Sequence, residues 1–317
     1  MSTPRVVSLL ASATEIVCAL GRRDALVARS HECDFPEDVA HLPSVTETKI
    51  AHHRPSAAID REVRTIVEQG LSVYRVDAER LRALKPDVIV TQTQCEVCAV
   101  SFKDLEEALA DWTGAAPHVV PLAPYALADV WRDVARVADA LSIPEKGRAL
   151  VAGFEARIAA IAAKARSLGA RPRVACVEWI DPLMAAGNWV PELVDLAGGR
   201  NLFGAPGVHS PWLEWDALRA SDPDVILILP CGFGIPRIRM EMPPLTRLPG
   251  WSFLEAVKRG QVYRLDGNQY FNRSGPRLVE SLEILAEILH PAAFRFGHEG
   301  RGWERASGPG TDPAHGR

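Results

Sequence analysis

The chain has 317 residues, more than one domain usually holds, and its 47% apolar and 24% charged content suits a globular protein with a sizeable core. A formal net charge of −4 excludes the basic face that nucleic acid needs and offers nothing to an anionic membrane. No run approaches the roughly 18 apolar residues of a membrane span, and the six cysteines read as reduced thiols rather than a secreted disulfide framework.

"RVVSLL" (5–10) predicts a buried strand, and the stretch after it a helix. Ser8, Ser12, Thr14 and Glu15 interrupt this apolar opening, so it does not read as a secretory signal. The expected location is therefore cytoplasmic, or periplasmic if the start is misplaced. Further on, "AERLRALKPD" places Leu81 and Leu84 on one helical face and ends at Pro86. Strands follow at "DVIVTQ" (87–92) and "HVVPL" (from 118). Ser142, Pro144 and Glu145 form a helix-start signal, predicting one helix to about 141 and a longer one over 143–168. At 1.5 Å per residue the second spans roughly 39 Å, enough to cross a lobe as a rigid strut that limits hinging.

The strand and helix pattern restarts at 172 with "PRVACVEWI", then "DALRASDPDVILILP" and "QVYRLD". "LRALKPDVIVTQ" and "LRASDPDVILIL" share one plan of helix end, Pro-Asp corner and buried strand. The expected fold is α/β, with two lobes, each a mainly parallel sheet flanked by helices, joined by a long rigid helix. The predicted divisions are a first lobe over 1–125, connecting helices over 126–169 and a second lobe over 170–292. A Gly- and Pro-rich segment over 293–317 reads as a disordered tail.

Ligands collect at the carboxyl ends of strands in such sheets. "SHECD" (30–34) and "QTQCEVC" (92–98) fall at that rim, bringing His31, Cys33, Cys95 and Cys98 into consideration as a soft zinc or iron site. A lone C-x-x-C lacks the second pair of a strong zinc signature, so a redox pair and simple packing of small thiols stay open beside it. No nucleophile elbow, phosphate loop or H-E-x-x-H is present, which points away from an enzyme. The rival reading is an intracellular metal- or thiol-dependent enzyme built on those four residues. In the second lobe Trp179, Trp189, Trp212, Tyr270 and Phe271, with Arg273, suggest an aromatic platform for a flat ligand.

"RVVSLLASATEIVCALG", "ERLRALKPDVIV", "GNWVPELVDLAGGRNLF" and "NRSGPRLVESLEIL" resemble blocks of the cobalamin and iron-siderophore substrate-binding proteins of ABC importers, nearest the cobalamin branch. The likeness spans roughly residues 5–290. Ser12, Thr14 and Glu15 match the family's Ser-Pro-x-x-Thr-Glu pattern, with Ala11 where serine is usual. The resemblance implies a non-enzymatic, monomeric binding protein holding cobalamin, a related corrinoid or another metal chelate between its lobes. It implies that Trp179, Trp212, Tyr270 and Arg273 line the cleft, and that Glu79 and Asp216 dock on permease arginines. Glu32, Thr48 and Gln92 stand where the cobalamin proteins carry aromatics, making the first-lobe half polar. The set expected to touch the ligand is Ser12, Thr14, Glu32, Gln92, Gln94, Cys95, Trp179, Trp189, Trp212, Tyr270 and Arg273. Cys98 is expected to support its loop, and His31 or Cys33 is a candidate axial ligand to the metal of the chelate. A cytoplasmic corrinoid carrier or sensor is the remaining alternative.

Overall fold

β1 (Val6–Ser8) leads into α1 (Ala11–Ala19), as the opening sequence predicts, in a computed structural model that describes residues 3–51, 53–68, 73–94, 102–110, 112 and 114–306. The first lobe continues through β2 (Leu26–Ala28), β3 (Thr46–Thr48), α2 (Ser56–Glu68) and β4 (Tyr74–Val76). It closes with α3 (Ala78–Leu84), β5 (Val88–Gln92), α4 (Phe102–Leu109) and β6 (His118–Leu122). Four parallel strands run in the order β2-β1-β5-β6, while β3 and β4 pair as a separate antiparallel ribbon. Every side chain of β1 and β5 is buried, as befits parallel strands covered on both faces. The Asp77 carboxylate caps α3 by accepting from the Arg80 N–H at 2.9 Å, and Lys85 at φ 43° turns the chain toward Pro86.

α5 (Leu127–Ala140) and α6 (Pro144–Ser167) join the lobes. Pro144 starts α6, where its missing N–H costs nothing. Phe154, Ile158, Ile161 and Ala165 form one buried stripe along α6, and Phe154 meets Trp131 of α5 with ring centroids 5.1 Å apart. Gly147 permits the close crossing, since a Cβ there would lie 2.5 Å from Ala138 Cβ. This stripe belongs to a core cluster that also holds Val6 and Ile16 of the first lobe and Val174 and Leu282 of the second. The strut is thus part of both cores, which opposes free hinging.

The second lobe comprises β7 (Arg173–Trp179), β8 (Met184–Ala185), α7 (Val190–Leu196), β9 (Arg200–Asn201), α8 (Trp215–Ser221) and β10 (Val225–Ile228). After these come α9 (Ile235–Glu241), α10 (Pro243–Thr246), α11 (Glu255–Lys258), β11 (Val262–Leu265), α12 (Leu278–Leu289) and β12 (Trp303–Arg305). The sheet order is β12-β11-β10-β7-β8, with β9 also on β7; β7, β9, β10 and β11 are parallel, and β8 and β12 antiparallel edges. Among the described residues no helix is long and apolar enough to cross a membrane.

The expectation of a disordered tail from 293 fails as far as residue 306. β12 pairs with β11 from Leu265 to Tyr263, and its Trp303 is buried. Glu287 of α12 holds the approach to it, accepting from the His298 N–H at 3.2 Å and the Trp303 indole at 3.0 Å. Composition hid this strand because its anchor lies on the preceding helix.

Candidate functional site

The carboxyl ends of both sheets face the space between the lobes, and the second lobe presents its aromatics there. β7 ends in Trp179, which pairs with Met184 of β8, and Met184 bridges in turn to Trp212. Two strand spacings put Trp179 and Trp212 in one cross-strand row, about 10 Å apart. The row is held from beneath: Ser210 donates to Glu178 at 2.9 Å and accepts from the Gly187 N–H at 3.1 Å. Gly187 itself admits no side chain, because a Cβ would lie 2.5 Å from the Val208 carbonyl oxygen. Trp179 is half-buried against Phe233, ring centroids 5.2 Å apart, whereas Trp212 is 57% exposed. The Arg64 guanidinium of α2 reaches from the first lobe to 5.0 Å over the Trp212 ring. Arg64, Asp181, Leu183, Trp212, Trp215 and Leu248 are among the residues lining a depression of about 550 Å³ between them.

Elsewhere along the cleft a charged network crosses between the lobes. Glu15 of α1 is buried and accepts from Arg273 at 3.0 Å and from Arg277 at 2.6 and 2.8 Å. Asp34, exposed on the loop after β2, accepts from Arg273 at 2.6 Å, Gln269 at 2.9 Å and Asn268 at 3.2 Å. Phe35 lies beneath the Arg277 guanidinium at 3.8 Å. Burial works to raise the Asp34 carboxyl, but the hydrogen bond and charge of Arg273 outweigh it and hold the group below its ordinary value. Arg273 is buried too, and Asp34 and Glu15 raise its pKa against that burial. At Glu32 burial dominates and pushes the carboxyl up, although the Tyr74 hydroxyl donates to it at 2.9 Å. A Gln94 to Asn188 hydrogen bond of 3.4 Å also spans the lobes.

The platform is smaller than the sequence suggests. Trp189 is in the core, its indole donating to the Phe271 carbonyl at 2.8 Å, and Phe271 is fully buried. Both leave the rim because that hydrogen bond and the surrounding core satisfy them. Tyr270 is likewise buried, between the Arg277 guanidinium at 5.3 Å and the His298 ring at 6.2 Å. Ser12 and Thr14 are buried: Ser12 accepts from Ser274 across the lobes at 3.4 Å, and Thr14 donates to Cys33 at 3.0 Å. They position α1 and Cys33 rather than line open space. Gln92 is the buried last residue of β5, and Thr48 accepts from the Ile50 N–H at 3.1 Å. Glu79 and Asp216 are exposed in the first turns of α3 and α8, with Asp216 3.1 Å from Arg219.

Of the four residues proposed for a soft metal site, the described residues include only His31 and Cys33. Cys33 is buried, and burial pushes its thiol up to about 11, which opposes the thiolate a metal or an axial bond needs. His31 Nδ1 lies 2.7 Å from Thr46 Oγ1, and its Nε2 is buried 3.9 Å from Glu32. Among the described residues no group of three or more His, Cys, Asp and Glu side chains is placed to hold a metal ion. Cys95 and Cys98 lie outside the described residues. Sequence reasoning passed over Asp34, Asn268, Gln269 and Arg277 as site residues and treated Glu15 as a motif letter. The signal available was the pairing of an Arg-x-x-x-Arg repeat at 273 and 277 with a buried-helix glutamate.

A family model described as "Periplasmic binding protein" matches residues 6–269. An uncharacterized ABC transporter substrate-binding lipoprotein, YvrC of Bacillus subtilis, is 23% identical over 299 residues, covering 92% of this chain and 81% of its own. The vitamin B12-binding protein of Vibrio vulnificus is 22% identical, covering 89% of each chain. Among solved structures, the apo periplasmic heme-binding protein RhuT of Roseiflexus sp. RS-1 superposes with a TM-score of 0.68 at 24% identity, over 92% of this chain and 100% of that one. The vitamin B12-binding protein BtuF of Vibrio cholerae gives 0.66 at 21%, over 91% and 97%. These matches overturn the expected cytoplasmic location, since the family is periplasmic and a relative is a lipoprotein. A match running from β1 through the turn that carries Asn268 and Gln269, on a two-lobed α/β frame, means that the chain belongs to the periplasmic binding protein family.

Proposed function

We propose that this chain is the substrate-binding component of an ABC importer and that it holds cobalamin or a related corrinoid between its lobes. The observation that carries the reading is the Trp179–Met184–Trp212 row, half-buried at one end and exposed at the other, where Trp212 lines the depression that Arg64 also borders. Such a row suits the face of a flat macrocycle. The amides of Gln94, Asn188, Asn268 and Gln269 lie along the cleft and match the carboxamide arms of a corrin ring. Vitamin B12-binding relatives covering 89% of this chain support the same ligand class. Family members bind solutes rather than transform them, and the cleft needs no reacting group to do so. Glu79 and Asp216 remain the proposed contacts to the permease, one exposed carboxylate on each lobe.

Titration of the purified chain with cyanocobalamin and aquocobalamin, followed by visible spectrum and heat, tests the reading. Binding near one equivalent is expected for both forms. Because Cys33 is buried and the His31 Nε2 is buried 3.9 Å from Glu32, the aquo form should keep its spectrum. No heat and no spectral change with either form overturns the corrinoid assignment.

A further inference from the structure

We infer that Asp34 is a specificity-determining residue of the cleft: by sitting on Arg273 it denies that guanidinium to ligands bearing carboxylates and favours ligands with uncharged amide arms. The inference rests on the cleft reading proposed above and names what that cleft rejects. Arg273 directs Nη1 at Glu15 at 3.0 Å and Asp34 at 2.6 Å, and Nη2 at Asn268 at 3.2 Å. Arg277 is committed to both oxygens of Glu15 and to Gln269 at 2.7 Å. The two guanidinium groups thus face two carboxylates in direct contact. The region has no surplus positive charge to offer an anionic arm.

The two acids differ in how they hold Arg273. Glu15 is buried and shared by two arginines, so it belongs to the frame. Asp34 is exposed, comes from a first-lobe loop and reaches across to three second-lobe donors, Arg273, Asn268 and Gln269. A ligand carboxylate presented to Arg273 meets Asp34 already in the position it would take. Removing Asp34 leaves Glu15 in place and frees one charge-assisted donor and two amides toward the cleft.

The test compares wild type with Asp34→Ala and Asp34→Asn at neutral pH and low salt, using cyanocobalamin and haemin, the latter carrying two carboxylates. The ratio of haemin to cyanocobalamin affinity should rise about tenfold or more in Asp34→Ala, with the same direction in Asp34→Asn. The asparagine variant keeps the side-chain volume, so a folding failure of the alanine variant leaves the test intact. A ratio within threefold of wild type in the folded variants overturns the inference. Succinate-dependent thermal stabilisation provides a readout that needs no macrocycle. Gained in the variants and absent from wild type, it supports the role of Asp34 even where neither macrocycle binds and the corrinoid reading has failed. No gain counts against the inference on the same terms.

Discussion

Arginine ties the lobes together at Glu15 and again at Trp212, and the two ties differ in worth because water reaches only the second. At the first, Arg273, Arg277 and Glu15 are all buried, with both carboxylate oxygens occupied. Such a group is costly to assemble, and costlier to break, because removing one member strands charge in a poorly solvated place. At the second, the Arg64 guanidinium lies over an indole that is more than half exposed, where a cation–π contact contributes about 0.5–1 kcal/mol. The buried tie fixes how the lobes meet. The exposed tie can open for a ligand at little cost, and it lies where the depression is.

Breaking the buried tie should produce the largest effect. Glu15→Ala leaves Arg277 without its carboxylate partner and Arg273 with Asp34 alone, and urea denaturation should report a loss of about 3–5 kcal/mol. A loss under about 1 kcal/mol would reverse the ranking of the two ties. Trp212→Ala acts at the other end. Its exposure keeps the stability change near that of its contact with Arg64, about 0.5–1 kcal/mol, while cyanocobalamin affinity measured by calorimetry should fall about tenfold through the lost aromatic surface. Equal affinity in the variant would take Trp212 out of the binding face.

The same contrast explains what could be read from the chain. β5, β10 and the α5–α6 pair were legible because their signals are local: a buried Val and Ile run, a Pro-Asp corner, a proline at the first helical position. Exposed Trp212 was legible as a ring in a Gly- and Pro-rich loop. What failed depends on partners far along the chain. Trp189 reads as another loop aromatic until its indole finds the Phe271 carbonyl, 82 residues away. Glu15 reads as a motif letter until Arg273 and Arg277 arrive from 258 and 262 residues on. Cys33 reads as a ligand beside His31 until burial makes its thiol an inert one, outweighing the Thr14 hydrogen bond that favours the thiolate. The residues after His290 read as solvent-loving until Glu287 gathers His298 and Trp303 against α12. Periodicity carries no information about such pairs.

The smallest expected effect sharpens the comparison most. Among the described residues Arg64 contacts the Trp212 ring at 5.0 Å and Asp60 at 2.9 Å, one turn back on α2. The helix pair contributes about 0.3–0.5 kcal/mol by itself, so Arg64→Ala alone does not isolate the inter-lobe contact. A double-mutant cycle with Trp212→Ala does, because the Asp60 contribution appears on both edges and cancels. The urea midpoints of the four proteins should yield a coupling of about 0.5–1 kcal/mol, the value of an exposed cation–π pair. Arg64→Ala should also speed release of bound cyanocobalamin about two- to fivefold, since it loosens the tie that opens. A coupling near zero with slower or unchanged release would mean that Arg64 serves α2 and that the lobes part somewhere else.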